Sequence, residues 1–473
     1  MKFDVIIIGA GAAGLYCAFE AGKRRRKVLV VEHNAQVGRK ILISGGGRCN
    51  FTNTETRAEN FISENPHFCK SALARYTPQD FVALVKKHNI EYYEKKLGQL
   101  FCRESARQIV AMLLAECAAA RVEIKTNCSV REIKKLIVNG DDVSGDNRFA
   151  VETSQGEFFC ENLVIATGGL SFPKVGATDF GFRIARQFGL KIVEPQPALV
   201  PLVFEGKAEN FGKLAGVSVD ALVSTGENSF RENILFTHRG LSGPAILQIS
   251  NYWRRGKPVS IDLLPDDDAL EVLEENSQGK QNLDNFLSRF LPHRFAEICA
   301  AQTADNKPLN RLGKKERERI AEYLNRWQAS FGDTEGYHKA EVMRGGVATG
   351  ELSSQTMTCG SNSRAFCTPL SPSEAILTLC SLISSSNFND SAESSLSSII
   401  KIRCESFVFI IGGIICRLPQ AVTPTAENCR PIRRDVKCYS IIFFINGERV
   451  NKIMITGKKK NSSGNSARRF FYL

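Results

Sequence analysis

The chain contains no C-x-x-C, no H-E-x-x-H and no histidine or cysteine set at metal-ligand spacing. The first absence argues against a flavin-linked disulfide reductase, which needs two neighbouring cysteines. The second removes the common zinc designs, and no metal is expected. No apolar run reaches the roughly 20 residues that cross a bilayer. Val5 to Phe19 is apolar, but Asp4 precedes it and Glu20 follows it. FVFIIGGIIC at 407–416 is shorter still. Neither reads as a signal or a span, so no membrane partner is expected.

Fifteen cysteines, an odd number at irregular spacing, fit free thiols in a reducing cytoplasm better than a disulfide framework. The net charge of +12 suggests nucleic acid at first sight, but residues 341–473 hold 16 Lys and Arg against 9 Asp and Glu. The remainder, including the short RRRK run at 24–27, reads as solvated surface. On charge alone the expected partner is a small-molecule substrate and no nucleic acid.

The informative segment is the opening one. Phe3 to Ile8 is an apolar, β-branched strand pattern, followed by Gly9-Ala10-Gly11-Ala12-Ala13-Gly14, helix formers to Ala21, and a second strand from Lys27 to Val31 that ends at Glu32. In that context G-x-G-x-x-G reads as a dinucleotide seat. Gly9 permits a tight turn, Gly11 lets a pyrophosphate approach the backbone, and Gly14 allows close helix–strand packing. The helix start at Ala12 offers free amides and a positive dipole end. Glu32 follows where a ribose-binding acid belongs, and it suits FAD or NAD better than NADP.

A second glycine segment begins soon after. KILISGGGRCNFTN at 40–53 places Gly45, Gly46 and Gly47 between Ser44 and Arg48, Cys49 and Asn50. Three successive glycines are costly in backbone entropy. Exposed amides there, with Arg39, Lys40 and Arg48 as cations, can reach the same dinucleotide from a second side. Such wrapping favours a retained FAD over an exchanging NAD. Further on, Leu163 to Ala166 reads as a buried strand turning at Thr167-Gly168-Gly169, and a backbone group near Val130 is placed to meet an adenine. Cys49, alone in its loop, is either redox-active or a small packed residue.

These stretches, with GQLFC at 98–102, ATGGLSFPKVGATDFGFRIARQFG at 166–189, LFTHRGLSGPAILQIS at 235–250 and RGGVATGELSSQTM at 344–357, resemble the bacterial BaiN/YhiN-like family of two-dinucleotide-binding-domain flavoproteins. The resemblance implies FAD contacts at Gly9, Gly11, Gly14, Glu32, Lys40, Gly46, Arg48, Val130, Thr167 and Gly168. It also implies a substrate-side domain inserted into the FAD domain.

The expected architecture is α/β. A Rossmann-like FAD-binding domain spans 1–190, an inserted domain 191–340 (β-rich over 191–262, helical over 266–330), a return 341–357, and an atypical, poorly ordered tail 358–473. The tail lacks the glycine-containing strand–turn–helix that the resemblance implies, and its serine and cysteine content suggests replaced or out-of-frame sequence. His238 and Arg239, in a tight loop before Gly243-Pro244, are catalytic candidates as proton donor and anion holder; the alternative is that they fix the loop. The expected activity is hydride or electron transfer through FAD, with NAD(P)H as transient reductant because no second dinucleotide fingerprint occurs. Two alternatives remain: a flavin module associated with RNA modification, and an inactive copy.

Overall fold

The computed structural model describes residues 1–136, 148–206, 209–351 and 354, and beyond them only the backbone of strands at 369–370, 407–410, 439–446, 449–458 and 468–472. The chain divides into two units, Met1–Gln420 and Ala421–Leu473. In the second, strands Tyr439–Asn446, Arg449–Lys458 and Arg468–Tyr472 form an antiparallel sheet.

The first unit begins with β1 (Lys2–Ile8), helix α1 (Ala12–Lys23) and β2 (Val28–Val31). Every residue of β2 and the last four of β1 are buried, as expected for a parallel sheet covered on both faces. A short helix α2 (Arg39–Ile43) precedes the triple glycine. Strands β3 (Asn50–Asn53), β4 (Tyr92–Glu94) and β5 (Gln99–Cys102) form a small antiparallel sheet beside it. The chain then adds β6 (Glu123–Lys125), β7 (Val130–Lys135), β8 (Phe149–Thr153) and the long β9 (Gly156–Ile165). In the main sheet β9, β1, β2 and β6 are adjacent and parallel, while β7 and β8 pair antiparallel and lead into β9. The strand expected at Leu163 to Ala166 is thus the end of a longer one.

Two apolar cores cover the sheet's faces. One gathers Ile7, Leu15, Phe19, Val30 and Met112; the other gathers Ile6, Ile8, Leu29, Leu163 and Phe188. The alternation of β1 between them is why its last four residues, Val5 to Ile8, are all apolar.

Next come β10 (Ile192–Ala198), β11 (Leu202–Phe204), β12 (Ser218–Thr225), β13 (Asn228–Phe236), β14 (Gly240–Ser242), β15 (Val259–Asp262), β16 (Trp327–Ala329), β17 (Phe331–Thr334) and β18 (Val342–Val347). Strands β10 and β18 pair antiparallel as a ribbon, and the other seven form one sheet. Helices Ala269–Glu275, His293–Ala304 and Lys314–Arg326 cover that sheet, with Phe236, Phe295, Ile320, Leu324 and Trp327 in a separate core. Each such side chain contributes about 1.5–3 kcal/mol on full burial.

The strand Phe407–Ile410 pairs in parallel with β9, with Phe407 opposite Leu163 and Phe409 opposite Ile165. An apolar segment of the expected tail thus lies beside β9 in the main sheet. The rest of the expected atypical tail, 358–473, lies outside the described residues except for the strands named above.

Candidate functional site

The first bend joins β1 to α1. Gly9 has φ +105, and a Cβ there would stand 2.5 Å from the Ala166 carbonyl oxygen. A Cβ on Gly14 would stand 1.9 Å from the Gly9 carbonyl oxygen. Both glycines are demanded by the protein's own packing. Gly11 differs: its φ is −82, and nothing lies within 4 Å of a Cβ built on it. Neither conformation nor crowding within the chain requires glycine there, and the space in front of it is open. Gly11 is also the N-cap of α1 and carries no side chain to cap the first amides. Those amides, beginning at Ala12, and the positive end of a twelve-residue helix face the opening.

Glu32 closes the floor of this bend. Its side chain is buried, and its Oε2 accepts a hydrogen bond from the Ala10 amide at 2.9 Å. Its Oε1 accepts from the Asn34 amide at 2.9 Å and from Asn34 Nδ2 at 2.8 Å. A carboxylate has about four acceptor positions, so Oε2 retains one. The Cys128 amide donates to the Glu32 carbonyl at 2.9 Å, which brings the Val130 backbone alongside the same rim.

The second bend explains the triple glycine. Gly45, Gly46 and Gly47 all have positive φ, at 57, 65 and 81, and Cys49 follows at 51. Three successive left-handed residues are tolerable only without Cβ atoms. A Cβ on Gly45 would also meet the Asn50 amide at 2.7 Å, whereas Gly46 faces open space. The loop is pinned by Ala106 N to Gly47 O at 2.8 Å and Cys102 N to Arg48 O at 2.9 Å. The Gly38 amide donates to the Ala10 carbonyl at 2.8 Å, so the approach to the second bend is tied directly to the first.

The flanking side chains divide into groups facing the opening and groups that hold the scaffold. Arg39 is a brace: it donates to Asn34 Oδ1 at 2.5 Å and to the Lys174 carbonyl at 3.1 Å. Ser44 Oγ donates to the Ile41 carbonyl at 2.8 Å. Arg48 is exposed and donates to the Tyr93 hydroxyl at 3.3 Å, and Asn50 is exposed beside it. Burial pushes the Lys40 ammonium below its ordinary pKa, with Glu341 acting in the opposite direction. Cys49 is buried, and burial pushes its thiol up, with a hydrogen bond involving Ser44 opposing. Cys102, at the end of β5, is pushed up to about 12 by burial and then by Cys49. Both therefore carry their protons at neutral pH.

Thr167, Gly168 and Gly169 follow β9, and Gly168 turns with φ 73. The turn is anchored by the Leu170 amide against Met343 Sδ at 3.5 Å. Ser171 is 1% exposed, and its Oγ has no hydrogen-bond partner among the described residues. Sequence reasoning missed Ala10, Asn34, Ser171 and Met343. Ala10 and Asn34 sit within or two positions from motif residues, but the roles of Ser171 and Met343 depend on the fold.

The loop at His238 and Arg239 is fixed by a different residue from the two that stood out in sequence. Thr237 Oγ1 accepts from the Arg239 and Gly240 amides at 3.2 and 3.0 Å. Phe204 donates its amide to the Arg239 carbonyl at 3.1 Å. Both side chains are exposed, and these bonds stay within the seven-stranded sheet. Among the described residues no cluster of three or more metal-ligating side chains occurs, and no helix is long and apolar enough to cross a membrane.

Residues 3–369 match a family model described as the HI0933-like protein Rossmann domain. The chain is 47% identical over 362 residues to the ribosomal RNA dihydrouridine synthase of Escherichia coli K12, covering 75% of this chain and 88% of that protein. It is 43% identical over 356 residues to the protein of that name from Haemophilus influenzae Rd, covering 74% and 88%. It is 26% identical over 372 residues to a 3-dehydro-bile acid delta(4,6)-reductase of Clostridium scindens, covering 74% and 88%.

Proposed function

This chain belongs to the HI0933-like Rossmann-domain family, and from that premise we propose that it is a flavin-dependent reductase acting on a carbonyl-conjugated carbon–carbon double bond in a uracil base of RNA. Membership carries the Rossmann-type flavoprotein oxidoreductase fold. The finer reading is supported by the names of the relatives: a dihydrouridine synthase and a bile acid delta(4,6)-reductase both saturate a double bond. The identity of 47% to the former favours RNA over a free small molecule, reversing the preference that charge alone suggests.

The site fits FAD. The observation that carries this is Gly11, whose glycine has no internal explanation and stands at the open N-terminus of α1. The α1 amides and the Gly45–Gly47 bend would hold the pyrophosphate and adjoining groups, Glu32 the ribose, and the backbone near Val130 the adenine. Ser171 Oγ, buried and unpartnered, is a further polar atom that a bound group can satisfy. When bound, FAD would supply transfer of a hydride from NAD(P)H to the double bond, with a proton completing the saturated product and NAD(P)⁺ leaving. The chain's contribution is orientation and that proton. Cys49, beneath the glycine bend, is kept as a thiol by its burial, which leaves it a proton to give but makes it a weaker acid and a poor nucleophile.

The test is an anaerobic two-step experiment on the full chain. NADH or NADPH is added to the purified yellow protein, and the flavin band is followed. Reduced protein is then mixed with uridine-containing RNA, free uridine or a small enone. The reading requires bleaching in the first step and reoxidation by RNA in the second, with two hydrogens gained by the base. Reoxidation by the enone alone would transfer the assignment to a small substrate. A colourless, well-folded preparation that takes up no FAD would refute both and leave the inactive-copy reading.

A further inference from the structure

Four cations gather where the ribbon of β10 and β18 meets the turn after helix Pro244–Ile249. The turn reads Asn251-Tyr252-Trp253-Arg254-Arg255-Gly256-Lys257. It is rigidly built: the Lys257 amide donates to the Arg254 carbonyl at 3.0 Å, and Gly256 takes φ +80. The buried indole of Trp253 donates to the Lys257 carbonyl at 2.8 Å. Tyr252 stacks on Phe230 with centroids 5.9 Å apart. Arg254, Arg255 and Lys257 are left on the exposed edge.

Arg344 arrives from β18. Its Nη1 donates to the Asn251 carbonyl at 2.7 Å, and its Nε donates to Gln196 Oε1 at 3.0 Å. The neighbouring charge acting on it is Arg254, another cation. Among the described residues none of the four forms an ion pair with a carboxylate. In β13 of the seven-stranded sheet, by contrast, Arg231 is clamped by Asp220 at 3.1 Å and Asp266 at 2.5 Å. Like charges held together without an acid repel, and a bound polyanion relieves that repulsion. Arg344 also follows Met343, which anchors the Gly168–Leu170 turn of the cofactor site.

We infer that the Tyr252–Lys257 turn, together with Arg344, is a docking surface for the sugar-phosphate backbone of RNA. Its cations contact phosphates and so set affinity and register without reading sequence. This inference rests on RNA being the substrate, as proposed above, and adds where the RNA is held.

The test uses the FAD-loaded full chain and a fluorescently labelled, uridine-containing RNA hairpin, with anisotropy measured over a range of KCl concentrations. The triple variant Arg254→Gln, Arg255→Gln, Lys257→Gln should bind at least tenfold more weakly at low salt. The slope of log affinity against log salt should become shallower by roughly two, since each phosphate contact accounts for about 0.7–0.9 of it. Arg255→Glu, whose side chain makes no bond within the turn, guards against a folding artefact and should itself lower affinity. Arg254→Lys with Arg255→Lys should retain most of the slope. The flavin spectrum and NAD(P)H bleaching should be unchanged in all of them. Variants that bind RNA with wild-type affinity and slope would overturn the surface while leaving the reductase reading intact. A wild-type protein that bleaches but binds no RNA would overturn both the surface and the RNA substrate.

Discussion

Replacing Gly11 and Gly14 separately by alanine distinguishes a glycine needed by the ligand from one needed by the fold. A Cβ on Gly14 would lie 1.9 Å from the Gly9 carbonyl oxygen and 3.2 Å from the Ala166 Cβ. Helix α1 must then move off the strand end, disturbing close packing against a backbone atom that cannot rotate away. Overpacking of this kind costs about 1–3 kcal/mol or more, a large part of the roughly 5–15 kcal/mol that holds a domain together. Gly11→Ala meets nothing within 4 Å and keeps an allowed φ of −82. Its cost to the apoprotein is that of a poorer N-cap, about 1 kcal/mol or less. With FAD the order reverses. The new methyl holds the pyrophosphate away from the α1 amides, and charge-assisted hydrogen bonds are worth about 1.5–3 kcal/mol each. Losing one or two weakens FAD binding by roughly tenfold or more. Apoprotein melting and FAD titration by quenching of flavin fluorescence read the two effects separately. Gly11→Ala should melt within a few degrees of wild type, with weakened FAD uptake; Gly14→Ala should melt clearly lower even without FAD. Wild-type FAD affinity in Gly11→Ala would refute the assignment of the first bend.

The remaining predictions concern charge and proton supply. Glu116 is buried; burial alone would raise its pKa, but hydrogen bonds from Lys87, His88 and Lys23 outweigh this and lower it from 4.5 to about 2. Because the folded value is depressed, the stabilisation is present above 4.5 and lost as pH falls towards 2; it amounts to about 3 kcal/mol. Glu116→Gln should lower stability at neutral pH and flatten acid unfolding across that window, as followed by circular dichroism. Cys49→Ala should leave NAD(P)H bleaching intact and slow reoxidation by the double-bond substrate about 100-fold or more, with partial retention in Cys49→Ser; equal reoxidation rates would remove Cys49 as proton donor. The eight described cysteines are all buried, so mass mapping after brief alkylation at neutral pH should find them unmodified in native protein and modified in urea. Lys96→Met leaves the buried Glu232 carboxylate without its ion-pair partner and should destabilise the protein by about 3 kcal/mol in denaturant titrations.

Much of the site was legible because its requirements are local. Gly9, Gly11 and Gly14 and the acid at Glu32 lie within one strand–helix–strand unit, where chain geometry fixes how far apart they fall. The triple glycine announced left-handed backbone for the same reason: nearly any other residue would be strained at three successive positive φ values. Side-chain partners were not legible. Arg39 looked like a phosphate cation but braces Asn34 and Lys174. His238 and Arg239 stood out, yet Thr237 fixes their loop. The basic surface escaped notice because Arg344 reaches a carbonyl 93 positions away.

By itself the sequence determined the first bend: β-branched strand, glycine turn, helix and acid are consecutive, and backbone conformation follows from which Cβ atoms are missing. Only the tertiary structure decided what surrounds that bend. It tied the approach to the second bend to the first through Gly38 and Ala10, buried Cys49 as a thiol, placed a tail segment beside β9, and assembled an uncompensated cluster of cations from distant strands. Those outcomes depend on contacts between segments remote in the chain, whose geometry is set by packing and desolvation rather than by local spacing.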